Sequence, residues 1–160
     1  MRDRVETNRQ LHSWLSDSHL LTLKHEKTKN YTSFETDATP MSMEVPTNKI
    51  VGIGRFYRAT NWLDVYNAYL GIGDSQINYS DEKFSHLIEL INDQGPAAFV
   101  RIANRENTIE PILAVYNGQL DEYYVYGNGS HRTYLAKLLN IECITCQVDI
   151  YRPANLMVEP

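Results

Sequence analysis

At 160 residues the chain has the length of one domain with room for a hydrophobic core. Its 42% apolar and 22% charged content is that of a globular protein, and no apolar run of about 18 residues or more is present to span a bilayer. The net charge of −5 argues against bulk affinity for nucleic acid.

The opening MRDRVETNRQ lacks the apolar stretch of a secretory signal, so a cytoplasmic location and no membrane partner are expected. Residues 1–40 read as an accessory segment. Leu11, Trp14 and Leu15 predict an amphipathic helix over Thr7 to Asp17, Ser18 to Leu23 a short strand, and Lys24 to Pro40 a polar loop or weak hairpin. His12, His19 and His25 lack metal-ligand spacing and read as surface or packing histidines.

A domain over residues 41–150 follows. Ser42 to Val51 begins it, with Pro46 suited to a strand edge or start. Lys49 to Arg55 then joins an apolar run to two glycines and a base. Trp62, Leu63, Val65, Tyr66 and Tyr69 predict a helix packed on a sheet, although such aromatics also suit stacking on a base. Ser80 or Asp81 caps a further helix whose face is Phe84, Leu87, Ile88 and Ile91, ended by Gly95-Pro96. Ala97 to Ile102 reads as a strand, Asn104 to Thr108 as a polar loop, and Glu110 to Tyr116 as another strand. Asn117-Gly118 signals a hairpin, which Gln119 to Glu122 can lengthen. Cys143 and Cys146, three apart, fall on opposite faces of a strand, which favours buried thiols over a disulfide, redox pair or zinc site. The tail, residues 151–160, ends in prolines and is expected on the surface.

The stretch with a chemical rationale is Tyr123 to Asp149: a strand of aromatic and β-branched residues, a Gly127-Asn128-Gly129 turn, a helix, and a strand from Ile144 to Val148. Ser130 or Asn128 is the expected N-cap, Leu135, Leu138 and Leu139 recur at helical spacing, and Asn140 suits a left-handed C-terminal position. A helix that starts directly after a glycine turn aims free N–H groups and the positive end of its dipole outward. His131 and Arg132 in that first turn suit a bound anion; an ordinary salt bridge and a packed or capping histidine are the other reading. No acid occurs between Glu44 and Asp64 or between Glu122 and Glu142, while Lys49, Arg55, Arg58, His131, Arg132 and Lys137 do. Those two basic windows would form one anion site if the fold brings them together.

The strand, Gly127-x-x-x-His131-Arg132, the short Ala/Leu helix and the closing strand resemble the core of the ParB/sulfiredoxin superfamily over roughly residues 43 to 150. The resemblance implies an α+β fold, a small mixed β-sheet with packed helices in the order strand, helix, hairpin, helix, strand. It implies that Gly127, Asn128, Gly129, Ser130, His131 and Arg132 hold phosphate oxygens, with Arg132 as clamp, His131 as donor or proton shuttle, and Arg55 or Arg58, with Lys49, on the far side. The ligand would be a nucleotide of ATP or CTP type, with Mg2+ if phosphoryl transfer or nucleotide hydrolysis occurs and His131 and Arg132 are catalytic. Ser130 stands where sulfiredoxins carry their catalytic cysteine, and Tyr126 where many relatives carry Asp. Glu44, Glu110 and Asp149 are the nearest acids, and no metal ligand is assigned. Two alternatives remain: a nucleic-acid-binding or nuclease domain, and a non-catalytic phage or mobile-element protein that engages a protein partner.

Overall fold

A computed structural model describes residues 15–54, 60–64 and 82–153, with backbone alone for 82–85 and 106–108. The elements are helix α1 (Asp17–His25), strands β1 (Phe34–Thr36) and β2 (Met41–Pro46), a 3-10 turn (Thr47–Lys49), β3 (Ile50–Ile53), helices α2 (Glu82–Gln94) and α3 (Pro96–Ile109), β4 (Ile112–Asn117), β5 (Glu122–Gly127), α4 (Ser130–Leu138) and β6 (Cys143–Pro153). The chain is thus α+β, with a mixed sheet at its centre. β1 and β2 pair antiparallel with successive parts of β6, which runs parallel to β4; β4 is antiparallel to β5, and β5 parallel to β3. Among the described residues no helix is long and apolar enough to cross a membrane.

Alternation along the strands creates two buried faces. Ile112 and Ala114 of β4, Val125 of β5, and Ile144, Cys146 and Val148 of β6 form one core with Ile88, Ile91, Phe99, Tyr134, Leu135 and Leu138 of the helices. On the opposite face lie Val115, Asn117, Glu122, Tyr124 and Asp149, all buried. The polar chain after α1 crosses that second face. Tyr31 stacks on Tyr124 with ring centres 4.9 Å apart and planes 10° apart, Phe34 meets both edge-on, and Lys29 reaches Glu122 at 2.5 Å. The crossing depends on Gly52: Lys29 donates its amide to the Val51 carbonyl at 2.7 Å, and a Cβ on Gly52 would collide with the Lys29 carbonyl.

Several expectations need correction. The predicted strand at Ser18 to Leu23 is helix α1, because the Ser16 side chain accepts the His19 amide at 3.1 Å and so caps a helix, and because Leu20 and Leu23 share one helical face toward the core. The part of the expected Thr7 to Asp17 helix before residue 15 lies outside the described residues. Ala97 to Ile102 is not a strand, nor is Asn104 to Thr108 a loop; both belong to α3. Gly95, at φ 84°, ends α2, and Pro96, with no amide to satisfy, opens the next helix at once. An apolar run as short as Ala-Ala-Phe-Val fits either period. Leu23 of the N-terminal segment is buried in the common core. The tail does not start at 151, because β6 continues to Pro153 against β1.

Candidate functional site

β5 carries the chain to one end of the sheet at Gly127. Asn128 (φ 47°) and Gly129 (φ 69°) are then left-handed in succession and reverse it into α4. Neither Ser130 nor Asn128 caps that helix, contrary to expectation: Gly129, which has no side chain to cap with, occupies the N-cap position, and no acid lies in the first turn. The first amide taken up by the helix itself is that of Thr133, bonded to the Gly129 carbonyl at 2.9 Å. The amides of Ser130, His131 and Arg132 therefore precede the first intrahelical bond, at the positive end of the dipole. The other end of α4 closes as expected. Asn140 is left-handed at φ 56°, Ile141 donates to the Ala136 carbonyl at 2.9 Å and Asn140 to that of Lys137 at 3.2 Å, the paired bonds of a Schellman motif.

Arg132 does not reach outward as a clamp. Its side chain is folded back beneath the turn and 5% exposed, with Nη2 donating to the Glu110 carbonyl at 2.8 Å. A Cβ on Gly129 would stand 3.1 Å from that Nη2 and would overlap the Ile112 side chain. Gly129 is thus required twice, by its φ and by the guanidinium and Ile112 packed under it. Arg132 also lines a small cavity of about 10 Å³, room for about one water, together with Phe99, Ala103, Asn104, Ile141 and Cys143. Burial pushes the neighbouring Cys146 thiol up to about 12, against the smaller opposing effect of the Arg132 charge. His131 is half-buried on the same turn.

The two acid-free windows do meet, because β3 runs parallel beside β5 with Ile50 opposite Tyr123 and Ile53 opposite Val125. Gly54 donates to the Val125 carbonyl at 2.9 Å, so the chain leaves β3 at the end of the sheet where the Gly127 turn lies. Arg55 and Arg58, expected across from Arg132, lie outside the described residues, as do Tyr66 and Tyr69. Lys49 is a correction. It precedes β3 and so sits near the start of β5, about 16 Å from the turn at about 3.3 Å per residue, and it pairs with Asp121 at 2.7 Å. Lys137 is also engaged elsewhere. Its ammonium, 4% exposed, donates to Glu26 at 3.0 Å and to the Thr47 carbonyl at 2.9 Å, and lies 4.6 Å above the ring of Trp62. Burial lowers its pKa, and the Glu26 charge opposes that shift. Trp62 is core, 1% exposed.

The three acids named from the sequence lie apart. Asp149 is buried on the second face, where one oxygen accepts the amides of Thr39 and Ile150, and Glu44 on β2 and Glu110 in the bend before β4 are exposed. Among the described residues no three His, Cys, Asp or Glu side chains cluster. Two features of the site escaped the sequence reading. The Glu110 carbonyl that holds Arg132 carries no side-chain signal, and the aromatic cover of Tyr31 and Phe34 on the second face sits in a stretch that reads as polar loop. No protein-family model, no curated protein and no solved structure matches this chain.

Proposed function

We propose that the Gly127 to Arg132 turn binds a phosphate-bearing ligand, most economically a nucleotide, on a ParB/sulfiredoxin-like core. The observation that carries the reading is the successive left-handed pair Asn128-Gly129 opening a helix with no side-chain cap and no acid in its first turn. Those amides and the helix dipole suit an anion. The buried Arg132 guanidinium behind the turn adds positive potential without touching the ligand. The order β3, helices, β4–β5 hairpin, α4, β6 supports the family reading. Chemistry at such a site would be phosphoryl transfer or nucleotide hydrolysis, with His131 as the proton-carrying group.

The inward position of Arg132 favours a second reading, in which the turn is structural and the protein works through a macromolecular partner. Thermal unfolding with ATP, ADP, CTP and GTP, each with and without magnesium, separates the two. A ligand at about a hundred times its dissociation constant stabilises by about 2.7 kcal/mol. The informative variant is Ser130→Glu, because an acid at the first helical position favours the dipole and leaves the fold intact while it repels an anion. A nucleotide-dependent shift that Ser130→Glu abolishes supports the ligand site. A shift that survives Ser130→Glu places binding elsewhere. No shift with any nucleotide favours the partner reading, and a steep salt dependence of DNA binding would identify that partner as nucleic acid.

A further inference from the structure

We draw no further inference here: the strongest candidate, the apolar row of Tyr123, Tyr116 and Ile150 with exposed Met41 at the hairpin end of the helix-bearing sheet face, is an apolar face for which nothing in the structure shows what covers it.

Discussion

Replacing Gly129 by Ala tests the site's construction most directly. At φ 69° an Ala Cβ costs about 1 to 2 kcal/mol in local sterics, offset by roughly 0.4 to 1 kcal/mol from a stiffer unfolded chain. The added methyl overlaps Ile112, which is fully buried, and stands 3.2 Å from the Arg132 Cζ. Overpacking a site of this kind costs about 1 to 3 kcal/mol. Displacing the guanidinium also strains its 2.8 Å bond to the Glu110 carbonyl, and a hydrogen bond from a charged group contributes about 1.5 to 3 kcal/mol. Together these give a loss of about 2.5 to 7.5 kcal/mol, a large part of the roughly 5 to 15 kcal/mol that holds a domain folded. Urea unfolding of the parent, Gly129→Ala, Gly129→Asn and Gly127→Ala separates the contributions. Gly127 has no positive φ, and its Cβ would meet only Leu113 at an ordinary 3.4 Å, so Gly127→Ala should cost about 1 kcal/mol or less. Asn tolerates the left-handed region but carries the same Cβ. It should recover about 1 kcal/mol relative to Ala and no more. If Gly129→Asn unfolds like the parent, the close packing of Arg132 and Ile112 under the turn is wrong.

Breaking the Lys137 ion pair from either side should give unequal results. Glu26→Gln leaves a buried ammonium without its counter-charge and should cost about 2 to 4 kcal/mol, whereas Lys137→Met removes the charge, fills similar volume and should cost less than about 1.5 kcal/mol; equal losses in chemical denaturation would count against burial of the ammonium. Gly52→Ala should push the Lys29 carbonyl off the sheet and expose residues 27–40 to limited proteolysis, and a variant as resistant as the parent would contradict the close crossing. Of the two thiols, Cys143 should react readily with a disulfide reagent and Cys146 only on unfolding. Cys146 has its folded pKa raised from 9.0 to about 12, so it contributes stability that is complete below pH 9 and lost as the pH rises from 9 toward 12. Cys146→Ala should therefore flatten the alkaline fall in stability over that window, and an unchanged slope would refute the assignment. Ser130→Glu should stabilise the fold slightly in the absence of ligand, by about 0.3 to 1 kcal/mol; a loss would mean that an acid partner already occupies the turn.

What the sequence alone determined were the features whose cause is local. The β4–β5 hairpin, the glycine turn, α2 and α4 and the left-handed Asn140 follow from side-chain periodicity and from the few residues that tolerate positive φ. Even there the details shifted. Asn117-Gly118 marks the hairpin, but its loop is Gly118 to Asp121, with the left-handed residue at Asp121.

Tertiary structure decided everything that depends on which distant group comes close. The segments Ser18 to Leu23 and Ala97 to Ile102 are short runs that fit either period, and burial of Leu23, Phe99 and Ala103 in the common core accompanies the helical choice in both. The polar stretch after α1 carries no signal of burial, yet Tyr31 and Phe34 find Tyr124, and the Lys29 backbone finds the glycine at 52, only when β3 and β5 lie side by side. The bases show the same limit. Arg132 at the head of a helix reads as a ligand clamp until Ile112 and the Glu110 carbonyl arrive beneath it, Lys49 reads as part of the site until the parallel register sends it to the far end of β5, and Lys137 reads as one base of the acid-free window until Glu26, Thr47 and Trp62 enclose it. A charge's role depends on its neighbours in space, because burial and the partner's distance set its energy, and neither is written in the spacing of residues along the chain.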